Sequence, residues 1–162
     1  MNIKAFAAIG LAGIAVFATA GTASAMPGDH LCTANEVTAR LVAGDPGAGQ
    51  RYANVQFTAK PDRGCSLQGA QPVSLAGAPG IDVVTDRGEG KLVTIANGES
   101  ASMLLHWSGI NAPAQQVTPS SVKITLAHDT FITLPWNQGP LDDSQEAHGL
   151  RVSAVQPGAA QY

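Results

Sequence analysis

The sequence predicts an all-β chain: an antiparallel β-sandwich, immunoglobulin-like, with about 7–9 short strands and one disulfide. Three observations carry this. First, residues 52–59 alternate cleanly, with Ala53, Val55, Phe57 and Ala59 on one side and Tyr52, Asn54, Gln56 and Thr58 on the other, the period of a half-buried strand. Second, beyond residue 25 no window keeps apolar residues at helical spacing without a Gly or Pro interrupting it, so the helices that a parallel βαβ fold needs are missing. Third, turn-forming residues recur every 8–12 positions, the spacing of a sandwich.

The N-terminal residues are read as an export signal. Lys4 precedes an apolar stretch over 5–20, and Ala23 and Ala25 form a small-residue cleavage site. The apolar run is short for a membrane span, which takes about 20 residues. Cys32 follows Asp29-His30-Leu31, so no lipobox of the Leu-Ala-Gly-Cys type precedes it. The expected organisation is a signal peptide over 1–25, a lead-in over 26–31, one β-sandwich domain over 32–156 and a tail over 157–162. The expected location is extracytoplasmic, secreted or associated with the cell envelope. Cys32 and Cys65 are the only cysteines, and in an exported chain they should pair. Two free thiols serving a metal or catalysis are the alternative.

Taken in order, Val37, Ala39 and Leu41 alternate with Glu36, Thr38, Arg40 and Val42 as a first strand. Residues 44–49 are a Gly- and Pro-rich connection before the 52–59 strand. Residues 60–64 turn the chain into Cys65. Pro72 opens a short strand over 72–75, where its missing N–H is tolerated. Further strands are expected over 81–85 and 91–96. Asn97-Gly98 is the strongest hairpin dipeptide in the chain and leads to Ala101, Met103, Leu105 and Trp107 on one strand face. A longer loop spans 109–121. Strands follow over 122–126 and 131–136, a polar loop over 137–149, and a last strand over 150–155.

The residues Cys32, Gly49-x-x-Tyr52-x-x-x-x-Phe57, Cys65-x-Leu67-x-Gly69-x-x-Pro72 and Gly98-x-x-Ala101 leading to Leu105-x-Trp107 resemble the domain-of-unknown-function family 4232 (DUF4232), found in exported proteins and lipoproteins of actinobacteria. The resemblance implies a small disulfide-pinned β-sandwich outside the cell. It brings no established activity and no catalytic residues.

Composition narrows the function. Nine basic residues face twelve acidic ones, for a net charge of −3, and no basic run occurs. Nucleic-acid binding and docking on anionic lipid both call for one. His30, His106, His128 and His148 show neither His-x-His nor His-x-x-x-His spacing, so no metal and no cofactor is expected. Ser108 near His106, and His128-Asp129, supply hydrolase ingredients, but the chain has no Gly-x-Ser-x-Gly elbow. Asp142, Asp143 and Glu146 cluster without the order of a calcium loop. The reading is therefore a non-enzymatic binding or structural module, a monomer whose partner is an unknown protein or envelope ligand. The alternative is a small secreted hydrolase or hydrolase inhibitor. Binding is assigned to loops 44–49, 109–121 and 137–149. Asp142 and Asp143 are binding candidates. Trp136 is a third if it is exposed; if buried it is core, which is the preferred reading.

Overall fold

Among the described residues thirteen strands, more than the sequence suggests, build two facing layers. They are β1 (Val37–Ala43), β2 (Gln50–Ala59), β3 (Gly64–Gln68), β4 (Val73–Ala76), β5 (Asp82–Thr85), β6 (Leu92–Ala96), β7 (Ser100–Ser108), β8 (Gln116–Val117), β9 (Ser121–Thr125), β10 (Phe131–Pro135), β11 (Leu141–Asp142), β12 (Gly149–Val152) and β13 (Gln156–Pro157). The computed structural model describes residues 30–86 and 90–161. The expected signal peptide over 1–25 lies outside the described residues. Among the described residues, no helix is long and apolar enough to cross a membrane.

One layer is the sheet β1-β2-β7-β12-β5, with β13 extending it along β7. Facing it are the sheet β10-β9-β4 and the pair β3-β6. The alternation read from residues 52–59 sets the inner face. Ala53, Val55 and Phe57 are fully buried, and so are Ala101, Met103 and Leu105 on β7. They pack in one core against Leu67, Ile95, Val122 and Ile124 from the opposite layer. Burying a side chain the size of Phe57 stabilises the fold by about 1.5–3 kcal/mol. The disulfide joins Cys32 to Cys65 as expected, with Cα atoms 4.9 Å apart, and both half-cystines are buried. Residues 30 and 31, expected as part of a loose lead-in over 26–31, run with Cys32 along β3: Ser66 N–H donates to His30 O and Cys32 N–H to Ser66 O.

Four further expectations change. The sheet is not wholly antiparallel, because β5 and β12 pair in parallel, from Gly149↔Asp82 to Val152↔Thr85. The 63 residues between these strands include six others, so no crossover helix is required. Asn97 and Gly98 both take positive φ (47° and 87°), as a type I′ turn demands. Yet β6 pairs with β3 and β7 with β2, so the turn carries the chain between layers. Its free donors bond to residues 59–63: Gly98 N–H to Ala59 O and Asn97 N–H to Arg63 O. Val42, placed on the polar side of its strand by strict alternation, is buried.

The tail is the fourth. Pro157 lies in β13 opposite Ala101, and Ala160 N–H donates to Gln56 Oε1 at 3.3 Å. The covered Gln56 is only 7% exposed despite lying on the outer face. Arg40 also donates to its Oε1, while its amide N–H groups reach Thr58 and Ser100. The C-terminal segment therefore meets the sheet near Thr58 and Ser100. The long loops lie at the other end of β2 and β7, near Gln50 and Ser108.

Candidate binding site at the loop pole

The three loops singled out from the sequence meet at this pole. Gly49 has φ +82°, and a Cβ there would lie 1.8 Å from Ile110 Cγ2, so only glycine lets loop 44–49 close on loop 109–121. Gly109 N–H donates to Gly49 O. Loop 137–149 is not simply polar: it contains β11, in which Leu141 and Asp142 are buried and pair with β8. Asp142 is the knot. Its Oδ2 accepts from Ser108 Oγ (2.6 Å) and Ile110 N–H (3.0 Å), and its Oδ1 from Asn111 N–H (3.0 Å) and Gln116 Nε2 (3.1 Å). Burial pushes this carboxyl up, but the bonds from Ser108, Ile110, Asn111 and Gln116 together outweigh it and hold it below the ordinary aspartate range.

Two indoles fix the start of the same loop. Trp107 Nε1 donates to Pro140 O and Trp136 Nε1 to Gly139 O, and the two rings meet at 5.1 Å and 59°. Beside them is an open depression of about 330 Å³ bordered by Pro46, Arg51, Tyr52, Gln138 and Pro140.

A second, more polar cleft of about 410 Å³ opens on the outer face of the large sheet. Sheet register explains it. Tyr52, His106, Arg151 and Val84 form one row across β2, β7, β12 and β5. In the next row Gln50 faces Ser108, and Gly149 faces Asp82. Gly149 has no side chain to fill its place: a Cβ built there meets only Asp82 O, at 4.0 Å. The walls are fixed. Tyr52 stacks on His106 at 4.7 Å, 9° from parallel. His106 Nε2 is 2.6 Å from Gln50 Oε1, and since an amide oxygen only accepts, Nε2 carries the proton. Ser144 and Ala147 bond across a tight turn that puts Glu146 and His148 at the rim. His148 Nδ1 donates to Ser144 O at 2.8 Å, and its Nε2 faces Asp82 Oδ2 at 3.3 Å, an ion pair when the ring is doubly protonated.

Of the residues picked from sequence, Trp136 is buried among core side chains and Asp142 is enclosed between loops. Asp143 is exposed, and its carboxylate lies over Gly80, where a Cβ would come within 2.5 Å of Oδ1. The acidic cluster thus points apart, and among the described residues no three His, Cys, Asp or Glu converge as a metal site. Ser108 gives its hydroxyl to Asp142 and not to an imidazole. His128 sits in an exposed left-handed turn with Asp129. The cleft residues Asp82, His148, Gly149 and Arg151 were not singled out together. In 149–152 the alternation of Gly and Arg with Leu and Val marks an outward and an inward face, but the parallel neighbour that brings Asp82 alongside leaves no local mark.

No curated protein and no solved structure matches the chain. A family model described as a domain of unknown function (DUF4232) matches residues 32–156, which takes in the disulfide, both layers and the loop pole. The chain belongs to the DUF4232 family.

Proposed function

We propose that the protein is an exported, non-enzymatic binding module that engages its partner through the loop pole. One observation carries this: loops 109–121 and 137–149 are tied together at one buried carboxylate, Asp142, with loop 44–49 closed on Ile110 through Gly49 and two open depressions beside them. Side chains held this way lose little further freedom on binding, so more of the contact energy is kept as affinity. The leader-like residues 1–25 and the buried disulfide support export. A hydrolase is the weaker reading, because Ser108 Oγ directs its proton at Asp142 and so has no imidazole to activate it.

Wholesale loop replacement would remove Asp142 and the fold with it, so the test uses rim side chains alone. Wild-type protein and an Asn137→Ala, Gln138→Ala, Glu146→Ala, His148→Ala variant are compared for capture of components from cell-envelope extract. The reading expects a component retained by the first and lost by the second at unchanged thermal midpoint. Equal capture by both would sink it. Labelling of Ser108 by an activity-based serine probe would turn the reading towards the hydrolase.

A further inference from the structure

We propose that the cleft over Gly149 is a subsite for a neutral, polyhydroxylated ligand, a saccharide unit; this rests on the loop-pole reading and names its ligand class. Charge and hydrogen-bonding character select the ligand. The cleft sets Asp82 and Glu146 beside Arg151, His106 and His148. A phosphate or carboxylate would meet two carboxylates, and a metal cation would meet a guanidinium and find no cluster of three ligands. An apolar ligand would strip water from ionisable groups on every wall, a cost that no apolar contact of this size recovers. A zwitterion is the nearest rival, since it would set its ammonium on Asp82 or Glu146 and its carboxylate on Arg151, and the glycylglycine arm below tests it.

Sugar hydroxyls suit the same walls. Each is donor and acceptor at once, and vicinal pairs match the flat two-point edges of a carboxylate, an amide or a guanidinium. Asp82 and Glu146 supply acceptors and Arg151 supplies donors. Gln50, with Oε1 committed to His106, presents its amide N–H groups. Val84, 46% exposed at the side of the cleft, gives the carbon face of a ring an apolar contact. The volume of about 410 Å³ lies within the range of small-molecule sites. The one missing side chain in the row, at Gly149, is what makes the space.

The cleft can be closed without touching the core. Gly149 lies in an extended strand with room for a Cβ, so Gly149→Val fills the floor, and Arg151→Ala removes donors from an exposed position. The experiment titrates ¹⁵N-labelled protein with N-acetylchitotriose, cellotriose and mannotriose, each to 20 mM, with glycylglycine, inorganic phosphate and calcium as separate arms. At least one saccharide is expected to move the amide signals of Ser108, His148 and Gly149 and to leave those of β9 and β10 in place. Arg151→Ala should weaken that binding about tenfold, the loss of roughly one charged hydrogen bond. Gly149→Val should abolish it at unchanged thermal midpoint; if that variant misfolds, the Arg151→Ala result decides. Shifts caused by glycylglycine, phosphate or calcium and by no saccharide would overturn the proposal, and so would saccharide shifts that persist in folded Gly149→Val. If no saccharide binds while the rim variant still loses its envelope component, this inference fails and the module reading stands. If neither effect appears, both fail.

Discussion

At Asp142 burial and hydrogen bonding pull in opposite directions, and the balance decides how the loop pole behaves in acid. Because the bonds win, the folded-state pKa lies below the unfolded one. The stabilisation is therefore complete above the unfolded value, about 3.9, and disappears as pH falls through the folded value. Glu36 acts in the same direction. Burial opposes its charge, but His30 at 2.5 Å, with the Thr33 hydroxyl and N–H, outweighs burial and lowers its pKa. Stability measured by urea unfolding should be flat from neutral pH to about pH 5 and then fall. Asp142→Asn should flatten part of that fall. Asp142→Ala leaves four donors without their acceptor and should cost on the order of 3 kcal/mol or more at pH 7. A loss under 1 kcal/mol would mean that the loops hold together without it. Nothing next to Asp142 in sequence marks this role. Its four partners come from residues 26 to 34 positions earlier, so the sequence marks it only as a binding candidate in an acidic loop cluster.

At the scale of elements, β2 was legible over 52–59 because its alternation there is uninterrupted and both its neighbours are strands of the same sheet. Gln56 shows where that legibility ends. Its own strand places it outward, and it is covered there by Arg40, Thr58 and Ser100 and by residues 156–160 coming back across it, a contact 104 positions away. Asn97-Gly98 was legible as a turn, since its backbone conformation is a local property. Which strands it joins was not, since that depends on β3 having already claimed β6. The C-terminal segment offers a clean measurement. Gln56→Ala in the full chain should cost about 1–2 kcal/mol, because buried donors and acceptors lose their partners. In a chain ending at Val155 the same substitution should cost less than half as much, since water then reaches the site. Equal costs in a double-mutant cycle would show that the tail does not cover Gln56 in solution.

For the whole molecule, the bond between Cys32 and Cys65, 33 positions apart, restricts the unfolded chain more than it adds contacts. In the chain-entropy model a loop of this size is worth about 3–4 kcal/mol. Replacing both cysteines with alanine should lower the urea midpoint accordingly, and mass spectrometry of the wild type should find no free thiol. An unchanged midpoint would assign the stability to the core alone. Most of the strand pairings are distant in sequence, the parallel β5-β12 pair among them. Folding should therefore be slow for the chain's size, in milliseconds to seconds, as stopped-flow tryptophan fluorescence of Trp107 and Trp136 can test.

Residues 156–160 return to the sheet at the end where β2 meets Ser100, a full strand length from Gly149, and His30, beside β3, bonds Glu36, whose carbonyl accepts from Lys60 N–H at the same end. An anchor, fused domain or solid support joined just beyond Ala160 would therefore leave the proposed binding pole turned away from the point of attachment and open to whatever diffuses past.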